Sequence, residues 1–286
     1  MSKKTEKTKK NLPGLYIIAT PIGNLGDMTA RAQAILEQAD IIACEDTRVT
    51  GKLLAHFDVT TPTMAYHDHN EEKSLPQLMA FLAAGQTVAL VSDAGTPLIS
   101  DPGYRLVRQA RDAGHFVSSI PGASAILAAL ASAGLPTDRF MFAGFLPNKT
   151  QARRKILTEL SSVRTTLVFY ESAKRLKASL QDIYDILGDR EAAVCRELTK
   201  LFEEVKRDKL ENLIGYYQDR NRPKGEIVIV VGPAAETEVR IDQLDDALIK
   251  ALAELSVKEA VASVTYSLGL KRKQVYGRAL ELVGEK

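Results

Sequence analysis

The sequence predicts an α/β protein: two α/β domains, the first built on a parallel sheet and the second on a mixed one, followed by a helical, helix-turn-helix-like module. Three observations carry this. From residue 15 to about 120, short apolar runs such as Leu15–Ala19, Ile41–Cys44 and Val88–Val91 alternate with helical spacing, the rhythm of a parallel sheet with right-handed crossovers. Between residues 192 and 207, two strand-like runs are separated only by Leu198-Thr199-Lys200-Leu201, which leaves room for a hairpin but not for a crossover helix. After Gly232-Pro233, a polar stretch leads into Ser256–Leu268, Gly269 and Lys271–Leu282, spaced as helix, turn, helix.

Composition bounds the rest. At 286 residues the chain exceeds what one core usually holds. Hydrophobic residues make up 45% and charged residues 26%, ordinary for a globular protein, and the formal net charge is only +2, so a nucleic-acid role requires local basic patches. No apolar run approaches the roughly 20 residues of a membrane span. Residues 1–11 carry five lysines and one glutamate without an apolar signal core, and read as a disordered basic tail. The two cysteines, Cys44 and Cys195, sit near the ends of apolar runs and read as buried free thiols in a reducing cytoplasm.

In chain order, a first domain over 12–121 holds the strands named above, with helices near Thr29–Gln38 and Asn70–Ala84. Glycines at 85, 114, 134 and 188 mark helix ends. Asp101-Pro102 reads as a helix start, Asp as cap and Pro at the first helical position. A small-residue helix opens at Pro121-Gly122-Ala123-Ser124-Ala125 and runs to Ala133, where the link to a second domain over 122–233 is placed. That domain has strands near Phe140–Phe145, Thr165–Tyr170, Ala192–Arg196, Phe202–Lys206 and Glu226–Val231. The terminal module spans 244–286 and reads equally as a helix-turn-helix or as a hairpin that caps or dimerises the body.

Thr20-Pro21-Ile22-Gly23-Asn24 and Asp93-Ala94-Gly95-Thr96-Pro97 each follow an apolar run with Gly and Pro where a strand turns outward. At the carboxyl ends of neighbouring parallel strands they would build a crevice. Neither contains G-x-G-x-x-G or G-x-x-x-x-G-K-[ST], which points to a nucleoside-like ligand held by backbone rather than to a dinucleotide or triphosphate. Asp93 reads either as a contact to a polar cofactor or as a turn residue bonding the amides of Ala94 and Gly95. Asp27 either caps the next helix or lines the crevice. Glu45-Asp46-Thr47-Arg48 reads either as a helix start, with Asp46 or Thr47 capping a helix to His56, or as a substrate contact, with Glu45 or Arg48 pointing into a groove. His67-Asp68-His69-Asn70-Glu71 reads as a helix start of capping-box type or as a substrate contact rather than as a metal site. No G-x-S-x-G elbow is present. Basic groups at Lys149, Arg153, Arg154 and Lys155, at Lys174, Arg175 and Lys177, at Arg220, Arg222 and Lys224, and at Lys271, Arg272 and Lys273 would form a phosphate-binding stripe if they converge.

Eight motifs in order carry a resemblance: Thr20–Asp27, Glu45–Arg48, His67–Glu71, Ser92–Pro97, Gly144-Phe145-Leu146-Pro147, Tyr170-Glu171-Ser172, Arg196-Glu197-Leu198-Thr199-Lys200 and Lys224-Gly225-Glu226. Over about residues 12 to 284 the chain resembles the ribosomal RNA ribose methyltransferase branch of the tetrapyrrole methylase superfamily. The superfamily's first loop usually reads G-x-G-P-G-D. Here the Asp is shifted away from the Pro, which matches the RNA branch and argues against porphyrin-type substrates. The resemblance implies a homodimer whose two α/β domains hold S-adenosylmethionine in the cleft between them, with no metal. Pro21, Asp93, Ala94, Gly95, Pro97, Leu98 and Ile99 would line the cofactor, joined by Pro121, Ser124 and Ala125 at the link and by Phe145, Tyr170, Leu198, Gly225 and Glu226 from the second domain. The implied reaction is 2'-O-methylation of a cytidine in small-subunit ribosomal RNA, in an assembled 30S subunit or its precursor. Asp27 and Glu45 are the candidate bases and Arg48 and Lys200 the orienting groups. Arg153, Arg154, Lys271, Arg272 and Lys273 would grip RNA.

Overall fold

The computed structural model describes residues 12–218, 224–234, 241–268, 270 and 272–284. The basic tail at 1–11, most of the polar stretch before the terminal module, Gly269, Arg220, Arg222 and Lys271 lie outside these residues.

The first sheet is formed by β1 (Leu15–Ile18), β2 (Ile41–Cys44), β3 (Thr63–Ala65), β4 (Val88–Val91) and β5 (Val117–Ile120), in the spatial order β3-β2-β4-β1-β5. Every pairing is parallel. The connecting helices are α1 (Ala30–Gln38), α2 (Thr47–His56), α3 (Glu71–Ala83) and α4 (Tyr104–Asp112). Ile35 and Leu36 of α1 and Leu54 of α2 pack on one face, Leu78 and Leu82 of α3 and Leu106 of α4 on the other. A parallel sheet covered on both sides needs strands apolar throughout, and β2 and β4 are buried at every position.

Helix α5 (Ala125–Ala133) follows, entered through Ser124, whose hydroxyl accepts from Leu127 N at 3.5 Å. The second sheet comprises β6 (Phe140–Phe145), β7 (Thr166–Ser172), β8 (Glu191–Arg196), β9 (Glu204–Lys209) and β10 (Glu226–Val231), with α6 (Thr150–Leu160), α7 (Leu176–Leu187) and α8 (Leu210–Gln218) between them. Its order is β6-β7-β10-β8-β9. Only β6 and β7 run parallel; the other pairs are antiparallel, and β8 and β9 form the expected hairpin. Leu157 and Leu160 of α6, Leu180 and Ile183 of α7 and Leu213 of α8 cover one face. Ile126, Ala129 and Leu130 of α5 cover the other, against Val168, Ala193 and Val228. Each leucine, isoleucine or valine among them, fully buried, contributes about 1.5–3 kcal/mol.

The chain separates into two compact units at Pro233/Ala234. The second holds α9 (Ile241–Leu252), α10 (Val257–Leu268) and α11 (Arg272–Gly284), packed on each other through Leu244, Leu248, Val261, Val264, Val275 and Ala279. No helix among the described residues is long and apolar enough to cross a membrane.

Several local expectations need correction. Asp101-Pro102 does not start a helix: α4 begins at Tyr104 with Gly103 as its cap, and Gly103, at φ 132°, breaks the helical path between Pro102 and Tyr104 after a turn in which Leu98 and Ser100 adopt left-handed φ values of 73° and 68°. Asp27 does not cap α1, since Thr29 accepts from Ala32 N at 3.1 Å; Asp27 ends a 3-10 turn, Leu25–Asp27. The capping box at Asp68 and Glu71 does not form. Asn70 occupies the cap position, and the Glu71 carboxylate instead accepts from the Tyr66 hydroxyl at 2.6 Å. Strand β9 starts at Glu204 rather than Phe202, and Leu201 and Phe202 stand exposed in the hairpin loop.

Candidate cofactor cavity and acceptor groove

The loops after β1 and β4 are bonded to one another. Thr20 N donates to Gly95 O at 2.8 Å, Gly95 N donates to Thr20 O at 3.0 Å, and the Thr20 hydroxyl donates to Ser92 O at 3.1 Å. Gly95 sits at φ +79°, which permits this close pairing. The Thr96 hydroxyl donates to Ala123 O at 3.2 Å and ties the second loop to the entry of α5.

On the opposite side, the rings of Phe145 and Tyr170 lie 5.3 Å apart. Behind them the Glu171 carboxylate is buried, accepts from Ser172 N at 2.6 Å and pairs with Arg175 at 2.8 Å. Arg175 donates in turn to Leu146 O at 2.9 Å and to Asn148, which fixes the Phe145–Asn148 turn. Glu197 and Thr199 adopt left-handed φ values of 51° and 66° around Leu198. Gly225, at φ +95°, lies where a Cβ would fall 2.1 Å from the Glu197 carboxylate. Lys200 reaches across the cleft: its stem covers Gly23, and its ammonium donates to Glu197 at 2.9 Å and Glu226 at 2.7 Å.

These elements enclose a cavity of about 340 Å³. Of the residues expected at a cofactor, Asp93, Ala94, Gly95, Ile99, Ala125, Phe145, Tyr170, Leu198 and Glu226 line it. Pro21, Pro97, Leu98, Pro121, Ser124 and Gly225 do not; they shape the loops behind the lining. Glu45 borders the cavity, as do Ile22, Thr96, Ser100, Asp101, Glu171, Cys195, Ile227 and Val228, none of which sequence reasoning placed at the cofactor. The alternation of strand β10 was the available signal for Val228, which shares a face with Glu226. Nothing local distinguishes Asp101 from an ordinary cap.

The rim is acidic. Partial burial, with Asp93 and Asp101 nearby, pushes the Glu45 carboxyl up. The carboxyls of Asp93 and Asp101 are likewise raised, first by burial and then by neighbouring aspartates. Burial, Asp101 and Glu226 together push the Tyr170 hydroxyl up to about 12. Asp93 also accepts from Asp46 N at 3.2 Å, so its carboxylate joins two loops rather than folding back on Ala94.

The remaining candidates are placed less centrally. Asp27 is exposed and borders neither this cavity nor the groove described next. Arg48 folds back on Asp46, the cap of α2, at 2.6 Å. Hydrogen bonds from Arg48 hold Asp46 well below the usual carboxylate range. Arg153 is no surface cation: it is 3% exposed, donates to Asp182 at 2.6 Å and bonds the carbonyls of Pro147 and Asn148. Its position on the buried stripe Arg153, Leu157, Leu160 of α6 explains why. Arg154 is paired with Asp182 and Asp185. Arg272 and Lys273 are exposed at the start of α11.

A second, open groove of about 580 Å³ lies between the start of α3 and the start of α4. It is bordered by residues 68–73 and 101–105, and Asp101 belongs to both volumes. Among the described residues no cluster of His, Cys, Asp and Glu is arranged to hold a metal ion.

A family model described as "Tetrapyrrole (Corrin/Porphyrin) Methylases" matches residues 14–214, and one described as "RsmI C-terminal HTH domain" matches residues 238–283. The chain is 52% identical over 270 residues to a protein of Erythrobacter litoralis, covering 94% of this chain and 95% of the relative. It is 49% identical over 279 residues to one of Vibrio cholerae, covering 96% of each. Both are named "Ribosomal RNA small subunit methyltransferase I". Among solved structures, diphthine synthase aligns with a TM-score of 0.59 at 16% identity, over 76% of this chain and 89% of that one. The cobalt precorrin-4 methyltransferase aligns at 0.55 and 19%, over 76% and 94%. These two show the fold alone.

Proposed function

The chain belongs to the tetrapyrrole methylase family, and from that premise we propose that it transfers a methyl group from S-adenosylmethionine to the ribose 2'-oxygen of a cytidine in small-subunit ribosomal RNA. The observation that carries the RNA assignment is that identity of about half extends through both α/β regions and the terminal module to relatives named for ribosomal RNA methylation.

The cavity supports the cofactor. S-adenosylmethionine carries a sulfonium cation, an adenine and a ribose, and the lining offers apolar walls at Ile99, Phe145, Leu198 and Val228 under a rim of carboxylates. A cluster of like charges on a partly buried rim favours a cationic ligand. Bound there, S-adenosylmethionine supplies a methyl group already activated by the sulfonium. Asp93, Ala94, Gly95 and Ile99 would hold it from the first domain, and Ala125, Phe145, Tyr170, Leu198 and Glu226 from the second.

The protein's work is then alignment and proton removal. Holding the ribose hydroxyl in line with the methyl group supplies on the order of 7–11 kcal/mol of the barrier. A carboxylate that takes the hydroxyl proton contributes roughly 10²–10⁴-fold. Of the two carboxylates expected from the sequence for this role, Glu45 borders the cavity and Asp27 does not; Lys200 pairs with the rim carboxylate Glu226, and Arg48 with Asp46, the cap of α2, rather than reaching outward. Domains over 12–121 and 122–233 are supported by the packing of α5 on the second sheet. Arg272 and Lys273 would bind RNA backbone. We place the working form as a homodimer acting on the 30S subunit in the cytoplasm.

Two assays test this. Calorimetry should detect S-adenosylmethionine binding, and radiolabelled methyl should pass to small subunits from cells lacking the gene but not to a porphyrin precursor. Label on the porphyrin precursor alone, or no cofactor binding at high concentration, contradicts the proposal.

A further inference from the structure

We infer that Asp101 is the proton acceptor of the methyl transfer, and that the open groove beside it receives the acceptor nucleotide. This rests on the methyltransferase reading above and deepens it.

The geometry points to one position. A nucleophile in an in-line displacement approaches opposite the leaving sulfur, so it enters a filled cofactor cavity from outside. The proton acceptor must therefore touch a hydroxyl arriving from the entry side while facing the cavity. Among the described residues, Asp101 alone borders both the cavity and the groove. Glu45 faces the inner volume only, and Asp27 faces neither.

The backbone is built to hold Asp101 there. Leu98 and Ser100, two residues without glycine's freedom, both adopt left-handed φ, an arrangement that persists where the surroundings impose it and that clusters at functional sites. Partial burial and the nearby Asp93 raise the Asp101 carboxyl, which makes its anion the more basic.

The groove suits a nucleotide. Tyr104 stands 65% exposed at its wall, a ring available for stacking on a splayed-out base. Lys73 borders the same space and is free to meet a phosphate. The Arg105–Glu71 ion pair, at 3.1 Å, ties the two helix starts that form the walls.

In the step itself the ribose oxygen forms its bond to the methyl carbon as the carbon–sulfur bond breaks, its electron pair passing to sulfur. The hydroxyl proton passes to the Asp101 carboxylate, which returns it to water through the groove. The overall exchange leaves a methyl ether, a neutral thioether and one released proton.

The test uses the full chain, S-adenosylmethionine and small ribosomal subunits from cells lacking the gene. Transfer by the wild-type protein carries the functional reading; the comparison among variants carries the assignment of Asp101. Asp101→Asn should lower kcat by roughly 10²–10⁴-fold, far beyond the few-fold loss of calorimetric affinity for S-adenosylmethionine that removing one rim charge brings, and an unchanged circular dichroism spectrum reports an intact fold. Tyr104→Ala should raise KM for subunits at least fivefold with kcat within about twofold, and Tyr104→Phe should restore KM, as stacking requires. Asp101→Asn with kcat within threefold of wild type overturns the assignment, as does a larger loss of kcat in Asp27→Asn or Glu45→Gln. An unchanged KM in Tyr104→Ala overturns the placement of the nucleotide.

Discussion

Thr20 and Gly95 exchange both backbone hydrogen bonds, at 2.8 and 3.0 Å, although they follow strands whose starts lie some seventy residues apart. This two-bond bridge turns two separate strand-end loops into one wall of the cavity. It brings Ile22 within reach of Asp93, Ala94 and Gly95, and Lys200 closes over the first loop from the second sheet.

Gly95→Ala should therefore damage the wall. The residue sits at φ +79°, where an L side chain costs about 1–2 kcal/mol. Urea unfolding should show a loss of that order, and titration with S-adenosylmethionine a weaker affinity. A variant unchanged in both would mean the bridge does not shape the cavity.

Arg153→Ala should cost about 1–3 kcal/mol of stability, because it leaves the buried Asp182 carboxylate with only the half-exposed Arg154 and removes the bonds to the carbonyls of Pro147 and Asn148. It should not selectively alter the salt dependence of subunit binding. Arg272→Ala and Lys273→Ala should do the opposite: each lowers the slope of log affinity against log salt by about one while leaving the unfolding curve in place. Filter binding over a salt series beside chemical denaturation separates the two classes.

Cofactor binding should strengthen as pH rises. In the protein alone, Glu45, Asp93 and Asp101 have raised carboxyls. A cation placed among them draws those values back down, so binding releases protons and affinity grows through the window above about pH 4. Calorimetry in buffers of different ionisation enthalpy would detect the released protons. S-adenosylhomocysteine, which lacks the sulfonium charge, should show a shallower dependence, and equal slopes for the two compounds would contradict an electrostatic role for the rim.

Asp93→Asn should stabilise the protein while weakening its cofactor affinity. A carboxyl raised on folding binds more protons in the native state than in the unfolded one, so stability is present at low pH and lost as pH rises through the folded value. Removing the charge removes that loss at neutral pH, and the amide oxygen still accepts from Asp46 N. A higher Tm without ligand, with several-fold weaker binding, is the expected pair of results. A lower Tm would show that Asp93 is needed for the loops rather than for the ligand.

The parallel sheet and the hairpin were legible because their signals are local. Ile41–Cys44 and Val88–Val91 are apolar at every position, as strands covered on both faces must be, and four residues between two runs exclude a crossover helix. Strands β3 and β5 were harder to see: Thr63–Ala65 is three residues long, and Val117–Ile120 is half serine. Phe202 drew the expected start of β9 too early, because an apolar residue exposed in a loop looks like strand. The cavity was legible where backbone shape dictates residue type, as at Gly95. It was not legible where tertiary placement decides. Arg153 looked like its neighbours but faces the core, and Asp101 looked like a cap until Leu98 and Ser100 turned it between two cavities.

Nucleoside analysis of small-subunit ribosomal RNA tests the central claim most directly. RNA from cells lacking the gene should have lost a 2'-O-methylcytidine that reappears when an intact copy is supplied, and not when the copy carries Asp101→Asn. An unchanged content of 2'-O-methylcytidine on loss of the gene would contradict the account.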